Sequence, residues 1–140
     1  MDKEVLMKYA YIYNLSSQSI PLGTDISFSN NDINIETITH IPGTKIISLD
    51  SKGYYAIWFD VQSPQPNKFV LLQNDAPIAS IPCEFETGTQ RNPGLVIITA
   101  ACGDILTIRN QTIGNAVTLQ TQTDETQTFP NASILIRKIR

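Results

Sequence analysis

Gly94-Leu95-Val96-Ile97-Ile98-Thr99-Ala100-Ala101-Cys102-Gly103-Asp104-Ile105-Leu106-Thr107-Ile108-Arg109-Asn110 consists of two apolar runs joined by Cys102-Gly103-Asp104. Both runs are short, rich in Ile, Val and Thr, and bounded by turn residues, the pattern of paired β-strands. The first run is apolar at nearly every position, which predicts a strand covered on both faces. The second alternates, with Leu106 and Ile108 on one side and Thr107 and Arg109 on the other. A sheet this rich in isoleucine needs a second layer to pack against, so the rest of the chain is expected to supply one.

Working outward, the same pattern recurs. Tyr9-Ala10-Tyr11-Ile12-Tyr13 alternates, with three tyrosines on one face. Short strands are predicted at Asp25–Phe28 and Glu36–His40, separated by an Asn30-Asn31-Asp32 turn, and again at Lys45–Leu49. Asp50-Ser51-Lys52-Gly53 turns into Tyr54–Val61, the most aromatic stretch. There Tyr55, Ile57, Phe59 and Val61 share one face, and Tyr54, Ala56, Trp58 and Asp60 the other. Further strands are expected at Lys68–Gln73, Ile78–Ser80, Cys83–Thr87, Ala116–Thr121 and Ala132–Ile139, with Asn92-Pro93-Gly94 as a turn. Residues 1–8 read as a leader and 9–140 as a single domain. About ten short strands with turn signals between them, and no normal-length amphipathic helix after residue 8, predict an antiparallel two-sheet jelly-roll sandwich.

Composition narrows the function. The chain has 140 residues, enough for one domain with a real core. Charged residues make up only 16% against about 25% in an average soluble domain. A neutral polar surface suits an extracellular or structural protein better than a cytosolic enzyme. Net charge is −3 and no basic stripe stands out, so a nucleic-acid partner is not expected. No apolar run is long enough to span a bilayer, and no signal peptide is read at the start. Cys83 and Cys102 are the two cysteines, and they read as small semi-buried thiols rather than a bridge.

Few residues invite chemistry. His40 is the single histidine. Ser48, Asp50 or Cys102 could be set beside it as catalytic partners, but no spacing singles them out, and a strand-end histidine with satisfied hydrogen bonds is the expectation. Asp104, in a strand-entry turn, reads as bonding its own backbone rather than a metal. The glycosylation-type triplets at Asn14, Asn110 and Asn131 carry no weight in a chain so rich in Asn, Ser and Thr. No catalytic residue, cofactor or metal is expected.

Three motifs carry a resemblance. Leu49-Asp50-Ser51-Lys52-Gly53-Tyr54-Tyr55-Ala56-Ile57, Leu72-Gln73-Asn74-Asp75 and Cys102-Gly103-Asp104-Ile105-Leu106 resemble strand entries and a hairpin of tumour-necrosis-factor-like and complement-head-like jelly rolls. In that hairpin Asp75 stands where glycine is usual. More specifically, Tyr9–Asn14, Gly88-Thr89-Gln90, Gly103–Asn110, Thr118–Thr121 and Asn131–Ile136 resemble the C-terminal domain of BclA-type collagen-like exosporium glycoproteins. The resemblance implies a ten-stranded jelly roll that assembles as a homotrimer at the tip of a spore-surface filament, although the chain shows no collagen-like stalk. It implies self-association and contact with other spore-coat or exosporium proteins, at a site reached without a classical signal peptide.

With Tyr55, Ile57 and Phe59 filling the sandwich, Tyr54 and Trp58 point away from it. In a lone subunit that leaves an apolar patch in water, the usual mark of an interface. Tyr54 and Trp58 are therefore the leading trimer-interface residues, with Tyr9, Tyr11, Thr107 and Arg109 weaker candidates for the same surface. The alternative to a purely structural role is recognition of a glycan or host protein through the Ser63–Asn67 and Gln122–Asn131 loops.

Overall fold

Apolar and polar residues alternating over short stretches between turn residues give strands rather than helices, and no helix occurs among the described residues. The computed structural model describes residues 8–63, 67–78, 91–111, 116–123 and 127–140. In chain order the strands are β1 (Ala10–Asn14), β2 (Gln18–Ile20), β3 (Asn30–Ile33), β4 (Ile38–Thr39), β5 (Ile47–Leu49), β6 (Gly53–Gln62), β7 (Phe69–Gln73), β8 (Ala76–Pro77), β9 (Arg91–Ala100), β10 (Asp104–Asn110), β11 (Val117–Leu119), β12 (Gln122–Thr123), β13 (Thr128–Phe129) and β14 (Ala132–Lys138). Ten of them build two five-stranded sheets, β3-β1-β14-β6-β9 and β4-β5-β10-β7-β8. β11 pairs with β2 and β12 with β13. The fold is an all-β antiparallel jelly-roll sandwich.

The inner faces of the two sheets meet in one core. From the first sheet come Ala10 and Ile12, Ile134 and Ile136, Val96 and Ile98, and the Tyr55, Ile57, Phe59 and Val61 face of β6. Ile47, Leu49, Phe69, Leu71, Leu106 and Ile108 face them from the second sheet. The face assignment read from β6 therefore matches the structure: its inward residues are buried, while Tyr54 and Trp58 are exposed.

Other expectations need correction. The two runs of Gly94–Asn110 are not paired with each other. β9 pairs with β6, whereas β10 pairs with β5 and β7 in the opposite sheet. The intervening turn, with Gly103 at φ 93° and the Asp104 amide bonded to the Ala101 carbonyl, carries the chain across the sandwich. Crossing lets Val96 and Ile98 face Leu106 and Ile108 through the core, which a hairpin in one sheet would not. Asn30-Asn31-Asp32 is strand β3 instead of a turn, because pairing with Tyr11–Tyr13 of β1 outweighs its low strand propensity. Asp25–Phe28 forms only isolated bridges, Asp25 to Arg109 and Phe28 to Thr44, because its pairing changes partner midway. Asn92-Pro93-Gly94 lies inside β9, with Pro93 opposite Asp60. Proline, which has no amide to donate, fits there because β9 ends its sheet among the described residues. Residues 1–7 of the leader expected over 1–8 and the strand at Cys83–Thr87 lie outside the described residues, as does most of the strand expected at Ile78–Ser80.

Two turns show why particular residues stand where they do. Asn74 (φ 53°) and Asp75 (φ 66°) join β7 to β8, and positive φ at both positions is a type I′ hairpin turn. At Gly53, an added Cβ would run into the carbonyl oxygen of Arg140. The last residues pack there, with Tyr54 N donating to Arg140 O at 3.1 Å and Ile139 N to Tyr54 O at 2.7 Å.

Asp75→Gly relieves a left-handed backbone and loses only an exposed ion pair, so it is expected to stabilise the fold by about 0.5–1 kcal/mol. Gly53→Ala is expected to destabilise it by about 1–3 kcal/mol through overpacking. Urea denaturation of the two variants reads both signs.

Candidate functional site

The outer face of the first sheet carries a continuous apolar strip built by strand register. Tyr11 of β1 lies opposite Leu135 of β14, Leu135 opposite Trp58 of β6, and Trp58 opposite Leu95 of β9. The adjacent row runs Arg137, Ala56, Ile97, and the next pairs Tyr54 with Thr99. Within the single chain Ile97 is 63% exposed, Leu95 58%, Tyr54 49% and Trp58 37%. Ala56, small and buried, floors a depression of about 500 Å³ lined by Trp58, Leu95, Val96 and Ile97.

These four exposed side chains present on the order of 400 Å² of surface, the size at which an apolar patch marks an interface. Covering it is worth roughly 10 kcal/mol per subunit at ~25 cal/mol per Å², before the costs of association. Trp58 supplies about a quarter of that, because 37% of so large a residue is an area similar to that of the smaller, more exposed Leu95. Leu95 and Ile97 are the more exposed, and sequence reasoning missed them. The available signal was the unbroken apolar run itself, which puts large side chains on both faces of β9.

The other proposed interface residues divide. Tyr11 joins the strip, and its ring stacks on Tyr13 with centroids 4.9 Å apart. Tyr9 lies at the β3 side, where its hydroxyl donates to Asp32 Oδ2 at 2.9 Å. That bond raises the phenol pKa above its ordinary value. Thr107 and Arg109 belong to β10 in the other sheet, so they do not share a surface with Trp58. Thr107 is buried opposite Leu72. The Arg109 guanidinium is held by Asp25 at 2.7 Å and Asp75 at 3.1 Å.

The residues weighed for chemistry have structural work. His40 is buried at the end of β4. Its Nδ1 accepts from the Asn31 amide and its Nε2 donates to the Thr44 carbonyl, each at 3.0 Å. These bonds assign the neutral ring. Burial pushes its pKa below the ordinary value, and the bond to Thr44 only partly offsets this. Asp104 accepts from Asn74, Gln73 and the Ala101 amide at 2.9–3.0 Å. The Asn74 bond is the largest cause of its lowered pKa. Cys102 is exposed rather than semi-buried, and its thiol donates to the Asp50 carbonyl; Cys83 lies outside the described residues. Asn14, Asn110 and Asn131 are all buried with bonded amides, so none can carry a glycan in the folded chain. No group of three potential metal ligands occurs among the described residues.

No family model matches the chain, and no curated protein matches its sequence. Solved structures do share its fold. The globular domain of zebrafish complement 1qA protein aligns with a TM-score of 0.67 at 12% identity, over 96% of this chain and 98% of that one. GITRL from bushbaby aligns at 0.58 and 16% identity, over 96% and 95%. Eiger TNF from S. frugiperda aligns at 0.58 and 13%, over 96% and 93%. At these identities the likeness is one of fold: a tumour-necrosis-factor-like, complement-head-like jelly roll.

Because folded His40 resists protonation, the unfolded chain takes up more protons as pH falls below the ordinary imidazole value. The contribution of His40 is complete above that value and is lost as pH falls through the lower folded pKa. Urea midpoints measured from about pH 8 to about pH 5 are expected to decline with falling pH, and less steeply in His40→Asn.

Proposed function

We propose that this chain is a non-enzymatic assembly domain that forms a homotrimer on a bacterial spore surface, as the end domain of an exosporium or surface-filament protein. The observation that supports this best is the exposed strip of Tyr54, Trp58, Leu95 and Ile97. The strip runs to β9, the last strand of its sheet among the described residues. One copy can therefore set its sheet edge against another's face. Such a contact is heterologous, and a heterologous contact that closes makes a ring. Three copies is the number implied by the resemblance to the exosporium domain. The spore-surface location, reached without a classical signal peptide, rests on the same resemblance, as does contact with other exosporium proteins.

A second reading, recognition of a glycan or host protein through loops, is favoured by one observation. Phe129, in the Gln122–Asn131 loop, is 42% exposed. In the other loop, Ser63 and Asn67 are buried, and residues 64–66 lie outside the described residues.

Light scattering at micromolar concentration is expected to return three times the 15.5 kDa of one chain. Ile97→Asp puts an unpaired charge into the proposed contact and is expected to yield monomer that still unfolds cooperatively. A wild-type monomer, or an Ile97→Asp chain that keeps its trimeric mass, would sink the proposal.

A further inference from the structure

A cavity of about 360 Å³ opens where the loop between β13 and β14 meets the outer face of the first sheet. Its volume falls within the range of small-ligand pockets. Tyr11, Asp60, Gln62, Phe129, Pro130 and Ser133 are among the residues that line it. The register explains the arrangement. Ser133 of β14 lies between Tyr13 of β1 and Asp60 of β6, and Tyr11 is two residues along β1 from Tyr13, so Tyr11 and Asp60 sit two strand spacings across and two residues along, about 12 Å apart. Phe129 and Pro130 stand at the entry to β14.

Both aromatic elements are held in place. The Tyr11 ring is stacked on Tyr13 at an interplanar angle of 24°. Behind Phe129 and Pro130, buried Asn131 anchors the loop. Its side chain donates to Ser16 O and Gln120 O and accepts from the Asn14 amide. Its backbone amide donates to Asn14 O, and its carbonyl accepts from Gln62 N. The Phe129 ring, 42% exposed, is thus presented to the cavity from a hydrogen-bonded support.

We propose that this cavity binds one pyranose ring of a glycan, an assignment that rests on the second, recognition reading given above. A pyranose is amphipathic: its C–H face suits an aromatic side chain, and its hydroxyls both donate and accept. Tyr11 and Phe129 supply aromatic surface, the Asp60 carboxylate accepts hydroxyl protons, and the Gln62 amide and Ser133 hydroxyl can do either. Among the described residues, no Lys or Arg lines the cavity. A preformed site loses little entropy on binding, so a single sugar can be held at millimolar affinity.

The test is a titration of the full ¹⁵N-labelled chain with methyl glucoside, methyl galactoside and N-acetylglucosamine, followed by amide chemical shifts. At least one sugar is expected to give saturable shifts confined to Tyr11, Asp60–Gln62 and Asn131–Ser133. Phe129→Ala alters an exposed residue, and it is expected to keep a cooperative melt while weakening binding by about tenfold. Asp60→Asn is the second variant, expected to weaken binding in the same direction. The assignment is overturned if none of the three sugars shifts these amides, if Phe129→Ala binds as wild type, or if tetramethylammonium alone produces the shifts. Shifts mapping elsewhere overturn the cavity but leave recognition through another surface standing; a blank glycan array together with a flat titration removes both. Mass measured on the same sample reports on assembly separately.

Discussion

β6 is paired along its length with β9 on one side and with β14 on the other. That double pairing is the constraint on which the rest of the molecule depends. Successive side chains of a strand point to opposite faces, so one register sets two surfaces at once. The same pairing that buries Tyr55, Ile57, Phe59 and Val61 lines up Tyr11, Leu135, Trp58 and Leu95 on the outside. A slip of one residue would exchange the two sets. The core therefore locks the outer strip into position, although the strip contributes little to the stability of the isolated fold.

The outer face is uneven in character. Around Trp58, Leu95 and Ile97 it is apolar and shallow; toward Asp60, Ser133 and Phe129 it becomes polar and concave. Tyr11 lines the second region and stands in the same cross-strand row as Trp58 and Leu95 of the first. Self-association suits the first kind of surface, where apolar area outweighs the cost of ordering. Recognition of a small polar ligand suits the second, where a few convergent groups are fixed by a rigid support.

Polar residues that look like sites in the sequence turn out to hold the sandwich together. Asn14 and Asn131 bond each other and nearby carbonyls at the end of the first sheet. Asn110 donates to Ile20 O. His40 ties the end of β4 in one sheet to Asn31 of β3 in the other. Buried polar groups must find partners, and an amide or imidazole can join segments that no ladder connects. Read singly, such residues resemble acceptors of glycans or catalytic bases. Their partners lie far away in the sequence, so spacing could not reveal that the groups were already engaged.

Local pattern alone determined that the chain is all-β, that β6 has one core face and one outward aromatic face, and that Tyr54 and Trp58 lie on the latter. These features follow from period-two alternation, which is written into neighbouring residues. Tertiary structure alone decided that β9 and β10 lie in opposite sheets, that Asn30–Asp32 is a strand, and that Leu95 and Ile97 complete the apolar strip while Thr107 and Arg109 lie elsewhere. Each of these turns on which strand lies beside which. Pairing is a contact between segments distant in sequence, selected by the energy of the whole core rather than by any residue's own preference.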